Sequence, residues 1–245
     1  IDQVRIFNKA LSSSEVTTLY NETACTKVTR TAGDTQILGD SSCIAYYKLD
    51  GTADDETGTY DGTFTNPDYG NGEFLYAGVF NGSSSFISGL PTLTNISGSY
   101  SISVWAKFTS TASIRGAYIF GGIKEQGSSD SLIGVFTNTS DNIVFRTRGS
   151  NAGTIQDIVA SSNYLGQWHN IVVTQDSLKM ELFIDGASIG TLSFSPTITL
   201  DNCVIGASNG RGTIEEYFTG SIDQVRIFNR VVTPSEVTTL YNEGI

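Results

Sequence analysis

The chain has 245 residues, of which 39% are hydrophobic and 16% charged, with a formal net charge of −11. So acidic a surface repels phosphate backbones, which excludes a nucleic-acid partner. No apolar run approaches the ~18 residues that a membrane-spanning helix needs, so nothing here is expected to cross a membrane. One histidine, His169, and three cysteines without C-x-x-C spacing exclude a zinc site. Few charges and abundant Gly, Ser, Thr and Asn favour a turn-rich, all-β protein of extracellular type.

The chain opens on a repeat. Residues 1–22 (IDQVRIFNKALSSSEVTTLYNE) recur at 222–243 (IDQVRIFNRVVTPSEVTTLYNE), with only five of 22 positions different. Self-similarity at this distance marks tandem modules. The spacing predicts the closing strand and helix of a preceding repeat over 1–22, a linker over 23–42 and one module over 43–245. Cys25 and Cys43 flank that polar linker. A disulfide between them would close it and would suit an oxidising location.

Cys43–Asp50 reads as the first strand, followed by an acidic, turn-rich loop over Gly51–Thr63. Phe74–Ile87 holds two strands broken at Asn81-Gly82. Tyr100–Phe108 alternates strongly, with Ile102, Val104 and Ala106 on one face and Trp105 on the other. Further strands are expected at Ala117–Gly122, Leu132–Thr137 and Ile143–Thr147. Asn170–Gln175 and Met180–Ile184 form a hairpin-like pair, and Asp185-Gly186 turns the chain into Ala187–Leu192. Val204–Ala207 and Ile222–Phe228 close the set. Thr233-Pro234-Ser235-Glu236 carries a cap, a proline at the first helical position and a glutamate three residues after the cap, so a short helix follows. Many short strands between Gly, Asn and Asp turns predict an all-β, two-sheet antiparallel sandwich with a short C-terminal helix.

Several segments, in this order, resemble laminin-G-like, concanavalin A-like jelly-roll domains: IAYYKLDGTADDETGTYDGT, AGVFNGSSSFIS, YSISVWAKF, GQWHNIVVT, MELFIDGASIG, CVIGAS and the closing G-x-IDxVRIFN…LYNEG. The likeness covers about 200 residues and implies the jelly-roll fold. Such domains include lectins, adhesins, glycosidases and structural modules, so it leaves function open. The terminal repeat and the ETACT…SSCIAYYKLDG linker are also similar to tandem modules in marine phage structural and fibre proteins.

Asp50, Asp54, Asp55, Glu56 and Asp61 crowd one loop, an oxygen-rich set suited to a hard cation. The resemblance implies a structural Ca²⁺ tying this loop to the last strand, through Asp50 or Asp55 and Asp223. The alternative is that these aspartates cap turns. For a sugar, the loop carrying Asn209, Arg211 and Tyr217 offers planar polar groups and a ring. Trp105 reads as core, and His169 as structural. Glu215-Glu216 and Glu181/Asp185 match neither the E-x-D-x-x-E pattern nor a facing pair, so an enzyme is not expected.

These readings converge on a non-catalytic carbohydrate-binding or adhesion module of a multi-repeat extracellular or virion-surface protein. Its expected partners are cell-surface glycans, neighbouring repeats or subunits, including copies of itself. The rival is a structural spacer or decoration module without sugar binding. A third alternative is an accessory domain of a polysaccharide-degrading enzyme.

Overall fold

The computed structural model describes residues 12, 37–92, 99–109, 116–124, 131–149, 154–193, 202–210 and 212–243. The chain divides into two units, Ile1–Asp34 and Thr35–Ile245, and the described fold is that of the second. Apart from Ser12, the expected tail copy over 1–22 lies outside the described residues, as do Cys25 and Arg211.

Seventeen strands and one helix are described: β1 (Cys43–Tyr47), β2 (Thr63–Thr65), β3 (Tyr69–Asn71), β4 (Tyr76–Asn81), β5 (Phe86–Ser88), β6 (Tyr100–Phe108), β7 (Ala117–Lys124), β8 (Ser131–Thr137), β9 (Ile143–Arg148), β10 (Gln156–Ala160), β11 (Trp168–Gln175), β12 (Lys179–Ile184), β13 (Ala187–Ser193), β14 (Val204–Ile205), β15 (Ser208–Gly210), β16 (Thr213–Glu215), β17 (Thr219–Phe228) and α1 (Pro234–Tyr241). One sheet runs β13-β12-β11-β6-β17-β4-β3, with β1 added along β17. The facing sheet runs β10-β9-β8-β7-β14-β5-β2, and β15 and β16 make a separate hairpin. All strand pairs are antiparallel, giving the expected jelly-roll sandwich.

The core lies between the sheets. Ile102, Val104, Ala106 and Phe108 of β6, with Ile171 and Val173 of β11, pack into one cluster with Ile119, Ile133, Val135 and Phe145 of the opposite sheet. Strand β17 looks out of phase in sequence, because its core residues Ile222, Val225 and Ile227 are three and then two apart. The structure places a β-bulge there. The pairing with β6 shifts between Asp223 and Arg226, and Gln224 takes φ +51°. One extra residue returns Val225 to the core face and leaves Asp223 and Arg226 on the other.

That outer face is buried too. Helix α1 lays Val237 and Leu240 over Tyr46, Val172, Phe183 and Phe228, with Ile37 and Leu38 packed alongside. The cap forms as its residue types dictate: Glu236 N–H donates to Thr233 Oγ1 (3.3 Å), and Thr233 N–H to the Glu236 carboxylate (2.7 Å). Arg230 binds Glu236 with two donors and also reaches Asp40. The Arg230 guanidinium, more than the cap's own donors, holds the Glu236 carboxyl down to about 2. Serines 101 and 103 keep the β6 surface low enough for this packing, and Ser101 Oγ both accepts from Val232 N–H and donates to Arg230 O.

Cys43 is a free, buried thiol in this structure, its Sγ donating to Ala45 O at 3.4 Å. Burial pushes it up to about 12, so it stays protonated at neutral pH. Cys25, the partner expected for it, lies outside the described residues.

Candidate functional site

Two of the three aspartates expected to hold a cation come together. Asp50, just after β1, accepts from Tyr76 N–H (3.0 Å). Asp223, at the β17 bulge, is fully buried and accepts from Phe74 N–H through Oδ2 (2.9 Å). Its Oδ1 has no hydrogen-bond partner among the described residues. Both aspartates thus hold the β3–β4 turn, whose Gly72 is obligatory: a Cβ there would lie 2.4 Å from Tyr76 O and 2.6 Å from Asp223 Oδ2. Burial first, and then the Asp50 charge, raise the Asp223 carboxyl to about 7, against the pull of Phe74 N–H. An orphaned, buried carboxylate oxygen beside a second carboxylate is a place short of positive charge, and oxygen donors of this kind fit Ca²⁺.

Asp55 does different work. Its Oδ1 accepts from the amides of Tyr46 and Thr57, and its Oδ2 from the amides of Thr59 and Tyr60 and the hydroxyl of Thr57. Burial alone would raise its carboxyl, but these donors hold it below the usual range. With every lone pair engaged, Asp55 ties the acidic loop to β1 and fits a cation poorly. No group of three or more His, Cys, Asp or Glu side chains is gathered among the described residues, so further ligands at Asp50 and Asp223 would be carbonyls or water.

The loop expected to bind sugar is the β15–β16 hairpin and the segment after it. Asn209 lines a pocket of about 160 Å³ with Ser88, Asn202 and Ile214. Its Nδ2 is already given to Asn202 O at 3.0 Å. Tyr217 is half-buried, its ring tilted 6.5 Å from that of Phe86, and does not line this pocket. Arg211 is outside the described residues. Of the two described residues, Asn209 lines this pocket and Tyr217 stands outside it.

A larger pocket, about 300 Å³, lies on the outer face of the other sheet, lined by Glu73, Trp105, Gln167, Trp168, Asp185 and Tyr241. Trp105 is 6% exposed, on the face of β6 away from the sandwich core, just past the end of the helix-covered area. Its ring stacks on Tyr241 (5.9 Å, 20°) and meets the edge of Phe74 (5.8 Å, 74°). Trp105 Nε1 is buried and has no partner among the described residues. Tyr241 is gripped from the far side by Gly186, where a Cβ would stand 3.2 Å from its ring.

Asp185, at φ +52° in the β12–β13 turn, accepts from Asn170 N–H (2.9 Å) and pairs with His169 Nδ1 (2.7 Å). The Tyr164 and His169 rings meet edge to face at 5.0 Å, so the histidine is held between Tyr164 and Asp185. Glu73 and Gln167 are exposed at the rim, and Trp168 is half-buried. The pocket therefore offers aromatic faces, an amide and two carboxylates. In the sequence Trp105 reads as core, and no motif marks this site. The available signal was that both tryptophans of the chain, Trp105 and Trp168, sit on neighbouring strands at the same end.

A model of the concanavalin A-like lectin/glucanases superfamily matches residues 80–238. The chain belongs to this superfamily. No curated protein sequence matches it. Among solved structures, this superfamily member is similar to domain 4 of AbnA, an extracellular GH43 arabinanase from Geobacillus stearothermophilus, solved with arabinotriose. The TM-score is 0.69 and the identity 24%, over 82% of this chain and 98% of that one. It is also similar to the binding domain of Paraclostridial Mosquitocidal Protein 1 (TM-score 0.67, 16% identity, 82% of this chain). The receptor binding domain of a botulinum neurotoxin C/D mosaic serotype follows (TM-score 0.65, 18% identity, 83% of this chain). The chain spans about half of each toxin domain, 52% in both cases. At these identities the likeness is one of fold.

Proposed function

We propose that this superfamily member is a non-catalytic carbohydrate-binding module that acts in adhesion, and that the Trp105–Trp168–Tyr241 pocket is where it holds a sugar. The observation that carries this reading is the pocket's lining. Sugar rings present C–H faces that pack on aromatic planes, and hydroxyls that need amides and carboxylates at the margin. Rings from β6, β11 and α1, with Gln167 and Glu73 at the rim, supply both. That a domain of similar fold was solved with arabinotriose supports the class of ligand.

Absence of catalysis is part of the proposal. Asp185 spends both oxygens on Asn170 and His169, and Glu181 binds Lys179 and Ser188, so neither stands ready for proton transfer. Asp50 and Asp223 would hold Ca²⁺ as a structural ion, whose charge would offset two adjacent carboxylates beneath the turn carrying Glu73. Repetition of the module, outside the cell or on a virion surface, would turn weak single contacts into avidity.

The test is a glycan-binding screen of the 245-residue chain displayed multivalently, with Trp168→Ala beside it. Binding that the substitution removes supports the reading. Binding that it leaves untouched moves the site to the Asn209 hairpin. A blank screen sinks the lectin reading in favour of a spacer contacting neighbouring repeats.

A further inference from the structure

The charges around the aromatic pocket say more than that a sugar fits. At about 300 Å³ it sits at the small end of ligand pockets and accommodates one ring rather than a chain. Among the described residues its charged lining groups are both carboxylates, Glu73 and Asp185, and neither Lys nor Arg lines it. Lys107, which faces Trp168 across the β6–β11 pair, stands outside the lining. Aromatic faces attract cations through their quadrupole, and Trp does so best. Carboxylates at the rim act in the same direction and repel anions.

Resting on the reading of this pocket as a sugar site, we infer that it selects a single terminal hexose bearing a protonated amine, takes the neutral hexose more weakly, and rejects sugars carrying a carboxylate or sulfate. Glu73 is the specificity-determining residue: it is exposed, and no hydrogen bond or ion pair of the described structure engages its carboxylate. Asp185 is pinned by His169 and contributes a fixed field.

The experiment is a titration of the whole chain, followed by saturation-transfer NMR, with methyl glucosaminide, methyl glucoside and methyl glucuronide, and with n-butylamine as an amine without a sugar. Glucosaminide is expected to bind on the order of fivefold tighter than glucoside, with glucuronide weakest. Glu73→Gln keeps a hydrogen-bonding group and the aromatic rings but removes the rim charge, so the fivefold preference should shrink to about two- to threefold, with unchanged thermal unfolding as the control. Equal affinity for glucosaminide and glucoside, a preference for glucuronide, or a preference untouched by Glu73→Gln would overturn the inference and leave the lectin reading standing. Failure of every sugar to bind, or butylamine binding as well as glucosaminide, would overturn the lectin reading itself.

Discussion

Arg226 and Glu243 form a two-point ion pair at 2.6 Å per contact, with side chains only 1% and 0% exposed. The guanidinium also lies 3.9 Å over the Tyr46 ring. One partner comes from the closing strand and the other from just beyond α1, so the pair locks the helix onto the sheet. Removing one buried partner leaves the other charge uncompensated. Glu243→Ala should destabilise the module by about 3–5 kcal/mol in urea unfolding, whereas Arg226→Met with Glu243→Leu should cost far less. A single substitution no worse than the double would show that the pair is not what fastens α1.

The acidic pair makes a signed prediction. Asp223 has its carboxyl raised to about 7, so the folded state binds a proton more tightly than the unfolded chain does. Its contribution to stability is complete below the unfolded value, near 4, and is lost as pH rises toward 7. Without calcium, the melting temperature should therefore fall between pH 4.5 and 7.5 more steeply in the natural chain than in Asp223→Asn. The group's share is up to about 4 kcal/mol.

Adding Ca²⁺ at pH 7.5 should restore that loss, and Asp223→Asn or Asp50→Asn should abolish the response. Asp55→Asn should lower stability whether or not calcium is present, because an amide nitrogen in place of Oδ2 takes the acceptor away from the Thr59 and Tyr60 amides and the Thr57 hydroxyl, and no calcium ligand is removed. Differential scanning calorimetry with Ca²⁺ and with EDTA separates the two outcomes.

Gly72→Ala tests the link between these aspartates and the pocket rim. Its Cβ would collide with backbone and with Asp223 Oδ2, so the Asn71–Tyr76 turn must shift. The expected result is a loss of about 1–3 kcal/mol of stability and a weaker calcium response. Glu73, one residue on, should be displaced as well, weakening sugar binding. Retained sugar affinity would mean that turn and pocket are independent.

Trp168→Ala should weaken binding of any glycan found for the module roughly tenfold, about 1.4 kcal/mol, while leaving the unfolding midpoint nearly unchanged. Arg226 and Trp105 are unsuitable for this purpose, because both are buried, Arg226 over the Tyr46 ring and Trp105 against Phe74 and Tyr241.

The long, alternating strands could be read directly, because one clean inward face leaves little choice: β6 and β11 are the clearest cases. The capping box at Thr233 and Glu236 was equally plain, since three residue types at fixed spacing have one common use. What escaped notice depended on contacts far apart in sequence. Strands β2, β3, β15 and β16 are three residues each, too short to show a period. The bulge at Gln224 disguised the phase of β17. Asp50 and Asp55 look alike in a line of text, and only the five donors wrapped around one of them tell them apart. Trp105 was placed on the correct side of its strand, but nothing local showed that the helix stops short of it.

Strand β1 runs antiparallel to the last half of β17, with Cys43 opposite Phe228, and Asn229 N–H reaches Ser42 O at the same corner. The chain thus enters and leaves this sheet side by side. A pull on the two ends would load that corner in peeling geometry, opening the β1–β17 ladder one bond after another instead of shearing it all at once. The Asp40–Arg230–Glu236 bridge and the Arg226–Glu243 lock stand at the point where peeling would begin. Strung in series, such modules would give way under tension at charged clasps before their cores were disturbed, and would re-clasp when the load was released.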